Sequence, residues 1–189
     1  MKKILLVIVS AFSLSLTNAQ TQFGIKAGLN ITTITGDNSN IFSSSVAVHA
    51  GVFANIPIDK QFSIQPEAML SIEGAKFSAG VTGRMSGTFI NVPVLAQYRF
   101  GSGFLIHTGP QLGLLMSANQ KVTGQASESI KDDLKSTNFS WAFGAGYQPK
   151  SSVVGFTVRY NLGISNINAN PGPSNRTSAW QISTFITIK

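Results

Sequence analysis

Lys26, Glu67, Arg99, His107 and Arg159 are the residues whose type and spacing first suggest chemistry in this chain. Opposite charges set among apolar neighbours suggest ion pairing. The supply of reactive side chains is small: 14 Lys+Arg, 7 Asp+Glu, two His and no Cys in 189 residues. Without Cys there is no thiolate catalysis, zinc knuckle, iron–sulfur cluster or disulfide framework. His49 and His107 belong to strands that run in opposite directions and fall towards opposite rims, which argues against a shared metal site. Glu67 and Glu73 share one parity but stand about 20 Å apart along an extended chain, too far for paired carboxylate catalysis.

Weaker signals fail on their surroundings. Asp132-Asp133 lacks the regularly spaced oxygen ligands of a calcium loop. Gly144-Ala145-Gly146 lies inside an alternating segment and not ahead of a helix, so it is no phosphate cradle. The basic residues form no stripe of the kind that binds nucleic acid. The sequence therefore predicts no catalytic, cofactor-binding or metal-ligating residue. Lys26, Glu67 and Arg159 read as an interior network of ion pairs and hydrogen bonds, with Arg99 and His107 lower down. A buried charge left alone costs several kcal/mol, so pairing is the physical expectation. A proton or ion path is the functional alternative.

The elements that must hold these residues alternate with period two, the side-chain repeat of a strand. Eight segments do so: Phe23–Ile31, Val46–Ile56, Phe62–Ile72, Ile90–Phe100, Phe104–Leu114, Phe139–Tyr147, Val154–Ile164 and Trp180–Ile188. Each is close to the 9–11 residues with which a tilted strand crosses a bilayer. Of the 45 positions on the apolar face, only Pro66, Thr108, Pro110 and Thr184 are neither apolar nor aromatic. An eight-stranded barrel is barely wide enough to be filled by its own side chains, so it cannot enclose this set. The other face has 37 positions, nine of them Gly and only four charged. Small residues suit a crowded lumen. A soluble surface would carry far more charge, and the whole chain is only 11% charged against roughly 25% for a soluble domain.

The fold class that follows is all-β: an eight-stranded antiparallel up-and-down transmembrane β-barrel with its apolar face on lipid. Phe62, Phe100, Phe104 and Tyr147 then form one aromatic girdle, and Phe139, Trp141 and Trp180 the other. Short turns at Ile58–Gln61, Gly101–Gly103 and Gln148–Ser152 alternate with long loops at Thr33–Ser45, Ala75–Gly87, Ser117–Thr137 and Ser165–Thr177. This is the rim asymmetry of outer-membrane barrels. Pro66, Pro93 and Pro110 lie inside strands, where each removes a ladder donor, and predict bulges or interrupted pairing. Ahead of the barrel, Met1-Lys2-Lys3, the apolar run Ile4–Leu16 and Thr17-Asn18-Ala19 predict a cleaved signal peptide over 1–19, with 20–189 as the barrel domain.

Several blocks carry a resemblance. Phe23-Gly24-Ile25-Lys26-Ala27-Gly28-Leu29-Asn30, Ile64-Gln65-Pro66-Glu67, Asn91-Val92-Pro93-Val94-Leu95, Gly109-Pro110-Gln111-Leu112-Gly113 and Arg159-Tyr160-Asn161-Leu162-Gly163 resemble, in order, the PorT-like outer-membrane β-barrel proteins. The three prolines fall within these blocks. The resemblance implies a barrel of the Gram-negative envelope and, through the family's namesake, an accessory part in type IX protein secretion. It implies no catalytic role for Lys26, Glu67 or Arg159. The function expected is a small monomeric barrel with a filled lumen, whose partners are outer-membrane lipid and lipopolysaccharide and, through its loops, envelope or secretion proteins. A narrow pore is the transport alternative.

Overall fold

Alternating β-branched and aromatic side chains with glycine and small polar residues favour extended backbone wherever alternate positions meet different surroundings. The computed structural model describes residues 20–37 and 39–188, and the expected signal segment 1–19 lies outside them. Nine strands follow in order: β1 (Gln22–Gly36), β2 (Phe42–Pro57), β3 (Phe62–Ala79), β4 (Val81–Arg99), β5 (Phe104–Val122), β6 (Ser127–Ser129), β7 (Thr137–Tyr147), β8 (Val154–Gly163) and β9 (Asn175–Ile188). All pairings are antiparallel, and β1 pairs with β9 to close the sheet. The short β6 adds to the edge of β5 beyond the last β5–β7 pair, Leu114↔Thr137. The closed ring therefore runs β1-β2-β3-β4-β5-β7-β8-β9, eight strands, as the alternation predicts.

Burial is inverted relative to a soluble barrel. Phe23, Phe104 and Phe156 are about 60% exposed on the outside, while Asn30, Ser71, Glu67 and Arg159 are at most 3% exposed within. Closure satisfies the backbone groups that an open sheet edge would leave bare in hydrocarbon.

The strands run further than the apolar alternation indicated. The loop expected at Ala75–Gly87 is strand almost throughout: β3 and β4 stay paired to Ala79↔Val81, around Gly80 at φ +75°. The expected loop Ser117–Thr137 begins as β5, which continues to Val122. At Thr33–Ser45 the connection between β1 and β2 shrinks to 37–41, and β9 starts at Asn175, within the expected loop Ser165–Thr177. Beyond the bilayer both faces of a strand meet water, so the apolar signal ends while the hydrogen-bonded ladder continues.

The prolines interrupt the ladder without changing its register. Pairing skips from Phe53↔Glu67 to Ile56↔Ile64 between β2 and β3. It skips from Pro66↔Val94 to Met69↔Asn91 between β3 and β4, and from Pro93↔Gln111 to Ala96↔Thr108 between β4 and β5. Each proline turns its missing donor towards the preceding strand. Register shifts occur elsewhere, at Ser44/His49 and Thr88/Phe89.

The turn between β2 and β3 is held by Asp59, whose Oδ1 accepts from the amides of Gln61 and Phe62, both at 2.7 Å. These bonds hold the carboxyl below its ordinary range, since they favour the charged form.

Candidate functional site

The inward positions build the lumen in layers. Nearest the short turns, Phe53, Leu105 and Phe185 cluster, with Phe53 and Phe185 edge to face at 5.8 Å. Room for the rings comes from facing glycines: a Cβ on Gly155 would lie 2.2 Å from the Phe185 ring. At the mouth below, Arg99 Nη1 donates to Gln148 Oε1 at 2.8 Å, and Gln148 Nε2 reaches Thr187 Oγ1 at 3.1 Å.

Above the aromatic layer lies the charged centre. Glu67 takes Lys26 Nζ on Oε1 at 2.5 Å and a two-pronged approach from Arg159, Nη2 to Oε1 at 2.7 Å and Nη1 to Oε2 at 2.9 Å. Gln65 Nε2 donates to the same Oε1 at 2.8 Å. Arg159 Nε donates to His107 Nε2 at 3.2 Å, which makes that ring nitrogen the acceptor and places the imidazole proton on Nδ1. Gly144 leaves space for this ring, for a Cβ there would stand 2.3 Å from His107 Nε2. The structure thus brings Lys26, Glu67, Arg159 and His107 into one cluster. Arg99 stays apart at the rim.

The next layer is neutral and was not singled out from the sequence. Asn30 Nδ2 donates to Ser71 Oγ and the Ile72 carbonyl, both at 2.9 Å, which fixes its amide orientation. Asn30 Oδ1 then accepts from His49 Nδ1 at 2.7 Å and Gln181 Nε2 at 3.0 Å. With Nδ1 as donor, His49 Nε2 accepts from Ser183 Oγ at 2.8 Å. Higher still, Glu73 accepts from Ser71 Oγ and Asn91 Nδ2 on a single oxygen and lines a cavity of about 40 Å³. Inward parity is the signal that identifies all of these residues.

The long-loop end is covered. Phe89, Leu115 and Ala118 form an apolar layer on which Ile130 and Leu134, from the β6–β7 connection, pack. That connection is tied to the β8–β9 loop by Lys135 N to Ile167 O and Ala169 N to Asp133 O. Side chains therefore occupy the lumen at each of these levels, with salt bridges at its middle and the small cavity beside Glu73 left open. Among the described residues there is no group of three or more His, Asp or Glu placed to hold a metal ion.

On the outside, Phe100, Phe104 and Tyr147 stand exposed at the short-turn rim, Phe62 is half-buried there, and the Phe104 and Tyr147 rings meet at 4.9 Å, inclined by 51°. Phe139, Trp141 and Trp180 are exposed towards the other rim. Trp141 Nε1 donates to Thr108 Oγ1 at 2.8 Å, and Trp180 packs on Tyr160 at 4.9 Å.

A closed eight-stranded ring, greasy outside and polar within, defines a small membrane barrel. The family model "Outer membrane protein beta-barrel domain" matches residues 18–169, and the chain belongs to that family. Among solved structures, Neisserial surface protein A is similar over 89% of this chain and 99% of its own, at 14% identity and TM-score 0.53. Ail, the attachment invasion locus protein of Yersinia pestis, is similar over the same shares at 14% identity and TM-score 0.52. A search of curated proteins finds no match. These likenesses show the fold.

Proposed function

We propose that this protein is a non-catalytic barrel of the bacterial outer membrane, exported by a cleaved signal peptide. It works through its lipid-facing wall and its outward loops, and not through its lumen. The observation that carries the reading is the filled interior. The Glu67 carboxylate is clasped by two cations at the centre, with an apolar layer below and another above. Ions crossing such a core would have to break buried pairs that are expensive to separate. The exposed aromatics near each rim act as girdles at headgroup level. Within the family, the PorT-like resemblance gains support from convergence, because three of its sequence blocks deliver Lys26, Glu67 and Arg159 to one cluster. That resemblance makes envelope or secretion proteins the partners to look for at the covered mouth.

The test is electrical. Purified barrel inserted into a planar bilayer gives no stable single-channel steps, while its insertion is verified by protease protection. Regular, ion-selective steps from inserted protein would overturn the filled-lumen reading and favour a narrow pore.

A further inference from the structure

Just above the apolar band, on the outer wall, three cations stand side by side. Lys76 of β3 pairs across to Arg84 of β4, and Arg84 pairs to Lys121 of β5. The row continues into Ser43 of β2 on one flank and Ser127 of β6 on the other. Like charges directly opposite one another on a sheet destabilise it, so the fold does not explain this row. No relief comes from within: both salt bridges among the described residues belong to Glu67 in the lumen. Arg84 instead leans across β3, its Nη2 3.5 Å from the Val46 carbonyl oxygen.

The height of the row matters. Going down the wall, the rows read Gly74–Ser86–Asn119, then Ile72–Thr88–Ser117, then Leu70–Ile90–Leu114. Lys76 is four residues beyond Ile72, about 10 Å higher once strand tilt is allowed for. That is the level at which headgroups replace acyl chains. The three cations line an open groove of about 710 Å³ that also takes in Ile72, Asn119 and Ser127. The groove therefore offers positive charge above, with Ile72 at its lower edge where the apolar wall begins.

We propose that Lys76, Arg84 and Lys121 bind the phosphate groups of an anionic glycolipid of the outer leaflet. The proposal rests on the membrane placement given above. The lipid is favoured over a soluble anion because the row faces sideways from the wall, continuous with the lipid-facing surface. Two cross-strand steps place the outer cations about 10 Å apart, so two phosphates on one headgroup can be met together.

The experiment uses the full barrel inserted into phosphatidylcholine vesicles, with diphosphoryl lipid A as the probe. Insertion is checked by protease protection and by the heat-dependent gel shift of folded barrels. The wild type is expected to bind lipid A with an affinity that falls as salt rises. The triple variant K76Q/R84Q/K121Q is expected to lose roughly 100-fold, about fivefold per cation. A charge-matched control, K60Q/K131Q/K135Q, keeps wild-type affinity. The K76Q/R84Q/K121Q barrel is also at least as stable in lipid-free detergent as the wild type, since repulsion has been relieved; a purely structural role predicts the reverse. Equal affinity of the two triple variants overturns the proposal, as does full displacement of lipid A by millimolar inorganic phosphate, which would point to a soluble anion. Failure of the wild type to insert overturns the membrane reading itself, whereas insertion without lipid A binding overturns this site alone.

Discussion

Replacing Glu67 with Gln is the sharpest test of the lumen chemistry. The cluster holds two cations and one anion, and the anion accepts every bond that ties the cations together, with Gln65 as a further donor. Glu67→Gln keeps one acceptor oxygen but turns an amide NH2 towards Arg159, and leaves two buried cations without a counter-charge. Each ion pair at about 4 Å is worth ~4 kcal/mol at an effective dielectric constant near 20. Part of that returns as the carboxylate's own desolvation is relieved, so the net loss is about 3–5 kcal/mol. Lys26→Met behaves differently. It leaves the two-pronged Arg159–Glu67 pair intact, renders the cluster neutral and fills the same space, so its cost is within about 1 kcal/mol of zero. The assay is urea unfolding of vesicle-inserted barrel, followed by tryptophan emission and by the gel shift. If the two variants fall within 0.5 kcal/mol of each other on this ~3 kcal/mol expectation, the counter-charge argument is wrong.

Other outcomes follow from the same structure. Trp141 and Trp180, the chain's only tryptophans, both face outward, so lipids brominated along their acyl chains quench nearly all the emission; unquenched emission would mean that this face does not touch lipid. Gly155→Ala drives a Cβ into the Phe185 ring and costs about 1–3 kcal/mol, most of it recovered in the double variant with Phe185→Leu. An unfolding cycle with no coupling between the two sites would refute the packing account. The Asp59 carboxyl is held below its ordinary value of 3.8 by two backbone amides. The stability gap between wild type and Asp59→Ala is therefore undiminished above pH 3.8, narrows below it, and is lost once pH falls past the folded value. A gap independent of pH down to complete protonation would contradict this.

Lipid and lumen place opposite demands on alternate residues, and for that reason the ring of eight strands was legible from period two alone. Lys26, Glu67 and Arg159 were legible as partners because they share parity and height on three strands. The neutral layer of Asn30, His49, Ser71 and Gln181 was harder to read. An uncharged polar residue at an inward position looks the same in sequence whether it merely fills space or bridges three neighbours. The row of Lys76, Arg84 and Lys121 was hidden for a different reason. It lies where the strands have left the hydrocarbon, in stretches read as loops, and only the register of β3, β4 and β5 aligns the three. Pairing between distant segments is a tertiary fact that no single segment encodes.

Pro66, Pro93 and Pro110 have a combined effect that none has singly. Val94, the partner of Pro66, adjoins Pro93, and Gln111, the partner of Pro93, adjoins Pro110. The skipped rungs consequently line up as a crease running across three consecutive strand seams at one level. A narrow cylinder must bend its wall sharply, and a crease lets one sector flex without loosening the rest. Amide protons flanking it should be the first in the wall to trade with deuterium, while those of β7, β8 and β9 keep theirs longest.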